Sequence, residues 1–331
     1  MRSRTLLGAL SAVAAVVTAV TCAAPASALP PTSETASTTT QAASAAHRPH
    51  RYVLPGKNVF PEGIAADQRT GTFWVSSFMT GAVYRGHVST RRTRVFLPAG
   101  RDGRKMTIGL EYSRGVLYVA GGETGEVWAY GAYSGRLLAR RSTGVKGFVN
   151  DVAVGRDGAA YFTDSFQPYI YRLSRTRGGT WKLSRWLDVS STVRQVPGAF
   201  NLNGIDSSAD GRYLYTVNMT TGALYRINIR TKAVRQVRVS GAELTAGDGL
   251  ERRGNDLYVV RNEFNQIVRL RLVRGGRAAV AVAQLTDPAL RIPTTAEVMR
   301  GRLLVVNSQF DRPGTDVPPD LPFTVTAVRL F

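Results

Sequence analysis

The sequence predicts an all-β protein, a six-bladed β-propeller whose last blade is closed by an N-terminal strand. Three observations predict it. A three-strand pattern recurs six times at intervals of roughly 42 to 53 residues. Its short β-branched and aromatic runs, broken by Gly and Asp, meet no competing segment of long 3.6-residue periodicity. The final repeat ends after its third strand, whereas a strand-like segment, Arg51-Tyr52-Val53-Leu54, stands alone before the first repeat. A blade without its outer strand would leave an exposed edge, so this segment is expected to close the last blade.

From the N-terminus, residues 1–28 read as a secretory signal. Arg2 and Arg4 form its positive region, Leu6 to Val20 its apolar run, and Ala26-Ser27-Ala28 its cleavage site. The apolar run is short for a membrane span and leads into that site, which favours export with cleavage over an uncleaved anchor. Ala19 and Thr21 suit lipidation of Cys22 poorly. Residues 29–50 are Ser, Thr, Ala and Pro with few large apolar side chains, and read as a disordered spacer. The folded domain is expected over 51–331, secreted and extracellular, with no membrane contact after cleavage.

The first strands begin near Gly63-Ile64-Ala65, Gly109-Leu110-Glu111, Asp151-Val152-Ala153, Gly204-Ile205-Asp206, Gly249-Leu250-Glu251 and Ala296-Glu297-Val298. Second strands carry the apolar and aromatic triplets Phe73-Trp74-Val75, Leu117-Tyr118-Val119, Tyr161-Phe162-Thr163, Leu214-Tyr215-Thr216, Leu257-Tyr258-Val259 and Leu303-Leu304-Val305. Third strands follow as A-V-Y-R at 82–85, E-V-W-A at 126–129, Y-I-Y-R at 169–172, A-L-Y-R at 223–226, Q-I-V-R at 266–269 and V-T-A-V at 325–328. Two longer connections, 190–201 and 311–322, fall at the end where first strands start and are candidate lids.

Composition narrows the chemistry. The chain has 331 residues, 44% hydrophobic and 20% charged, which suits a globular protein with a large core. Its single cysteine, Cys22, lies in the apolar N-terminal run, so the remainder has no disulfide, thiolate metal site or cysteine nucleophile. Two of three histidines, His47 and His50, fall in the polar tail, which argues against a multi-histidine metal centre. The net charge of +20 invites a nucleic-acid reading. The arginines that carry most of it are dispersed, however, and no nucleic-acid-binding motif or run of interleaved basic and aromatic residues is present.

In a propeller the first strands line the central channel, so equivalent positions converge on the axis. The residues immediately before the aligned first strands are Glu62, Ile108, Asn150, Asn203, Asp248 and Thr295. Four of them, Glu62, Asn150, Asn203 and Asp248, offer a carboxylate or carboxamide oxygen. Such a set, free of sulfur and imidazole, suits a hard divalent cation, Ca²⁺ better than Mg²⁺, with another divalent cation open. Against this stands the ordinary use of Asn and Asp as turn residues before strands.

Several segments carry a resemblance: P-E-G-I-A at 61–65, V-N-D-V-A-V-G at 149–155, Y-F-T-D-S at 161–165, N-G-I-D-S-S-A-D-G-R-Y-L-Y at 203–215 and D-G-L at 248–250. Over about residues 52–310 the chain resembles the calcium-dependent six-bladed propellers of the senescence marker protein/gluconolactonase/luciferin-regenerating-enzyme group, with paraoxonases, diisopropyl-fluorophosphatase and strictosidine synthase as relatives. The resemblance implies a catalytic Ca²⁺ held by Glu62, Asn150, Asn203 and Asp248. It also shows departures. Phe148-Val149-Asn150-Asp151 stands where gluconolactonase-type members resemble R-x-N-D, so an arginine for a sugar acid is absent. No paraoxonase-like histidine dyad is present in the channel motifs, and Glu297 fits the last-blade glutamate of strictosidine synthase relatives only loosely.

The function expected is a secreted, metal-dependent hydrolase of a lactone, ester or phosphoester. The metal would polarise the carbonyl or phosphoryl oxygen, and Asp248 would act as base or nucleophile. Phe148 and Phe200 flank ligand positions and are the candidate substrate-binding wall. The alternative is a noncatalytic propeller with a structural Ca²⁺ and a cationic surface for a protein partner or anionic wall polymers. The expected partner is a small-molecule substrate, without specific nucleic acid, and the expected state a monomer.

Overall fold

The structure is a computed structural model that describes residues 50–331. The expected signal peptide and all of the expected spacer except His50 lie outside the described residues. His50 is not spacer but the first residue of the N-terminal strand, His50–Leu54. Among the described residues no helix is long and apolar enough to cross a membrane.

The described chain forms 24 strands joined by turns and three short 3-10 segments. They build six four-stranded antiparallel units. The first strands are Pro61–Asp67, Leu110–Ser113, Val149–Val154, Leu202–Ser207, Gly247–Arg253 and Pro293–Met299. They pack in order around a ring, each against the next and the last against the first. This is the arrangement of a β-propeller. In a meander every first strand starts at the same end of the channel, and every link between second and third strands returns to that end. That end is here called the channel mouth.

The N-terminal strand supplies the missing edge of the sixth unit. His50–Leu54 pairs antiparallel with Phe323–Arg329, in the register Tyr52 to Val325 and Leu54 to Phe323. Alternation sends Tyr52 and Leu54 inward, where they join Ile64, Phe73, Val306 and Phe323 in the apolar cluster between the last and first units. The other edge of the strand is partly covered, because Val53 N donates to Arg91 O at 2.9 Å and Thr93 N to Val53 O at 3.0 Å.

Two features were not foreseen. The outer strands Val234–Ser240 and Ala278–Thr286 pair in parallel, Arg238 opposite Ala278, so the fourth and fifth units share one eight-stranded sheet. The arginines are also not all solvated: Arg104 is fully buried, with its guanidinium donating to Gly81 O, Pro98 O, Asp102 Oδ2 and Tyr130 Oη.

A repeated irregularity at the mouth positions the site. Pairing between first and second strands slips between Pro61 and Ile64, Val149 and Val152, Leu202 and Ile205, Gly247 and Leu250, and Pro293 and Ala296. Each slip leaves two residues in a bulge, which bends the strand and re-aims a side chain. Glycine permits the close approach this needs. A Cβ on Gly63 would lie 2.3 Å from Ile108 O, and one on Gly204 2.2 Å from Asp248 O, the backbones of the neighbouring first strands.

Candidate metal and substrate site

Glu62, Asn150, Asn203 and Asp248 are each the first residue of such a bulge, so the four share one structural register at the channel mouth. They lie within their strands rather than before them. All are buried, at 6, 3, 3 and 5% exposure. The sixth position needs correcting. The slip between Pro293 and Ala296 makes Thr294, not Thr295, the counterpart of Glu62. Thr294 is fully buried and its hydroxyl donates to Glu62 O at 2.7 Å.

Neighbouring side chains orient these groups. Asn150 Nδ2 donates to Ser165 Oγ at 2.8 Å, and Ser165 Oγ to Leu202 O at 2.7 Å, which fixes the Asn150 amide by its nitrogen. Asn262 Nδ2 donates to Asp248 Oδ2 at 2.8 Å. Asn203 Nδ2 approaches Met219 Sδ at 3.3 Å. Two oxygens of the set, Glu62 Oε2 and Asn150 Oδ1, are buried without a hydrogen-bond partner. A buried acceptor left unpaired costs free energy comparable to a lost hydrogen bond, so paired unsatisfied oxygens in one register point to an external electrophile.

The electrostatics agree. Burial, then the Asp248 and Asp151 carboxylates, pushes Glu62 well above the usual carboxylate range. Burial raises Asp248 to about 8, with Asp151 and Glu263 adding and the Asn262 bond opposing. Like charges this close in a low-dielectric site favour either protons or a cation. Among the described residues no three His, Cys, Asp or Glu side chains form a metal-binding group. The set has only two carboxylates, and its remaining oxygens are carboxamides. That donor chemistry fits a hard divalent cation whose shell is completed by other oxygens.

A second acidic layer lies further along the ring of first strands. Glu111, Asp206, Glu251 and Glu297 pair with Tyr118, Tyr215, Tyr258 and Leu304, which places Glu297 in one register with the other three. Burial raises all four, Asp206 to about 6, and mutual repulsion adds for Glu111, Glu251 and Glu297. Glu251 Oε1 accepts Val298 N at 2.9 Å and Glu297 bonds Gln68. Asp151 instead ties strands together, accepting Ile205 N at 3.0 Å and Val152 N at 2.9 Å. The off-by-one alignment of the sixth repeat kept Glu297 out of this register.

Phe148 and Phe200 meet edge to face, with ring centroids 5.2 Å apart. Phe166, which the sequence reading missed, completes a triad at 5.7 Å from Phe148 and 4.8 Å from Phe200. It directly follows the Y-F-T-D-S motif, and its place in the link after a second strand was the available signal. Asp164 Oδ1 accepts the amides of Phe148, Phe166 and Gln167 at 2.8, 3.0 and 3.0 Å, locking both chain segments together. An open cavity of about 520 Å³ lies against Phe166, bounded by Pro168, Gln195, Val196, Pro197 and Asn201.

Residues 60–270 match the family model described as the SMP-30/gluconolactonase/LRE-like region. The chain belongs to this family. No curated protein matches it. Among solved structures it is similar to the major allergen Mala s 1 of Malassezia sympodialis, at 15% identity and a TM-score of 0.66, covering 84% of this chain and 96% of that one. It is similar to the calcium-binding protein regucalcin of Agrobacterium tumefaciens, at 18% identity and a TM-score of 0.62, covering 85% and 93%. A luciferin-regenerating enzyme follows at 12% identity and a TM-score of 0.55, covering 84% and 94%. At these identities the likeness is one of fold.

The mouth of this member of the SMP-30/gluconolactonase/LRE-like family carries an aromatic triad. Phe148 packs its ring into the triad at the position where a sugar-acid arginine was expected by resemblance. The bulge register gathers the four oxygen-bearing residues singled out in the sequence.

Proposed function

We propose that the protein is a secreted, monomeric six-bladed propeller hydrolase of a lactone, ester or phosphoester, dependent on a divalent cation, with Ca²⁺ preferred. The observation that carries this reading is the pair of buried, unpartnered oxygens, Glu62 Oε2 and Asn150 Oδ1, in one register with Asn203 and Asp248. Glu62, Asn150, Asn203 and Asp248 would hold the ion. When bound, such an ion supplies Lewis-acid polarisation of a carbonyl or phosphoryl oxygen.

The protein's own groups do the rest. Asn262 donates to Asp248 Oδ2 and Asn203 also bonds this carboxyl, so both amides orient Asp248 to take a proton from water or to attack the acyl or phosphoryl centre. Ser165 holds Asn150 by its nitrogen, so the oxygen stays toward the site. The phenylalanine triad forms an apolar wall on one side of the mouth. The basic exterior, +20 over the chain, suits anionic wall polymers in the surroundings.

Hydrolysis of a panel of lactones, aryl esters and phosphoesters, with and without EDTA, tests the reading. Chelator-sensitive turnover that falls at least a hundredfold in Asp248→Asn is expected. Calcium binding without turnover on any member of the panel would instead favour the noncatalytic propeller.

A further inference from the structure

We propose that Phe148, Phe166 and Phe200 form a preorganised aromatic platform that selects substrates bearing an apolar ring or alkyl chain beside the scissile group, with Phe166 as the specificity-determining residue. The inference rests on reading the channel mouth as a substrate site. It adds to that reading the class of compound that enters.

The platform is exposed where exposure is unusual. Phe166 and Phe200 are 44% and 38% exposed although they stack on the buried Phe148. Large apolar side chains left in water as a contiguous group mark binding surfaces more often than scattered ones do. Phe264, Met79, Val317 and Leu321 are also exposed, and all lie in links at the channel mouth. These residues lie at the end where the candidate metal ligands sit.

It is also rigid. Asp164 fixes Phe148 and Phe166 through their amides. Thr220 Oγ1 donates to Phe200 O at 2.6 Å. Asn201 closes the 190–201 link on itself, its Nδ2 donating to Val196 O and Ala199 O and its Oδ1 accepting Val196 N at 2.7 Å. The link expected from its length to be a lid is thus a built wall. A surface already held in its binding shape loses little entropy when a ligand arrives.

The distance to the chemistry is short. Phe148 is two residues before Asn150 and Phe200 three before Asn203, so their Cα atoms stand within roughly 10 Å of those of these two candidate metal ligands along the chain.

Two polar side chains beside the platform are already engaged. Gln167 Nε2 donates to Lys146 O at 2.7 Å, and the Asn201 amide bonds the backbone through both ends. A polyhydroxylated sugar lactone would find few donors to replace its water there, whereas a chain or ring would cover Phe166 and Phe200 and reach the cavity beside Phe166.

Binding without chemistry tests this, by calorimetry of the full chain loaded with Ca²⁺, using two non-hydrolysable lactams: δ-decanolactam and gluconolactam. The expected result is at least tenfold tighter binding of the alkyl lactam, and a loss of tenfold or more of that affinity in Phe166→Ala with recovery in Phe166→Trp. Equal affinity for the two lactams, or a Phe166→Ala variant that binds the alkyl lactam unchanged, overturns the proposal. So does binding of phosphatidylcholine vesicles that depends on Phe166 when neither lactam binds, because the rim then serves a membrane. Phe166 is exposed, so its replacement is expected to leave the melting temperature and the calcium isotherm unchanged. Alkyl-lactam binding without any hydrolysis on the substrate panel would refute the hydrolase while leaving the platform standing.

Discussion

Asn262 Nδ2 lies 2.8 Å from Asp248 Oδ2, a buried carboxamide holding one oxygen of a buried carboxylate. The bond favours the charged form and offsets part of the burial that lifts Asp248 to about 8. Removing it in Asn262→Leu is expected to raise the Asp248 pKa further. Calcium affinity at pH 7 should fall by about 10- to 100-fold, the usual cost of a lost supporting contact to a metal ligand. Calcium calorimetry at pH 7 and 9 checks this, because the loss should shrink at the higher pH.

Glu62→Gln separates binding from stability. It removes a buried carboxyl whose Oε2 has no partner and whose neighbours are acidic. The metal-free protein is expected to gain about 1–3 kcal/mol at pH 8, while calcium-induced stabilisation is lost. Urea unfolding with EDTA and with excess calcium reads both effects in one experiment.

The pH dependence of the metal-free protein has a definite sign. Asp248, Asp151 and Asp206 are raised to about 8, 7 and 6. Each therefore binds more proton folded than unfolded between about pH 4 and its raised value. Stability in EDTA should accordingly fall as pH rises from 4 to 8. Calcium, which replaces protons at Glu62 and Asp248, should reduce that fall. Melting temperatures measured across this range, with and without calcium, provide the test.

Closure of the ring rests on the N-terminal strand. Leu54 is fully buried between the last and first units. Leu54→Ala is expected to cost about 2–5 kcal/mol through lost transfer energy and a residual cavity. Urea midpoints check the value, and a change below about 0.5 kcal/mol would remove the strand from the cooperative core.

Much of this was legible because propeller repeats write their geometry into the sequence. Phe73-Trp74-Val75 and its five counterparts mark central strands, and the lone Arg51-Tyr52-Val53-Leu54 matched the edge left open by the last repeat. The four oxygen-bearing residues were visible because they recur at one repeat position, where the structure places one bulge. Local pattern fails where geometry depends on a single residue of phase: the repeat alignment points to Thr295 where the bulge selects Thr294, which displaces Glu297 from Glu111, Asp206 and Glu251. It also fails where contacts cross units. Nothing local in Arg238 or Ala278 announces a parallel pairing, and Phe166 joins Phe148 and Phe200 only through the amides gathered by Asp164.

Calcium calorimetry of the chelator-stripped full chain and of Glu62→Gln, Asn150→Ala, Asn203→Ala and Asp248→Asn tests the proposed metal site most directly. One ion per chain bound at the mouth is expected, with affinity reduced at least tenfold in every variant and most in the two carboxylate replacements. An absence of binding in the unmodified protein, or an isotherm unchanged by all four substitutions, would contradict it.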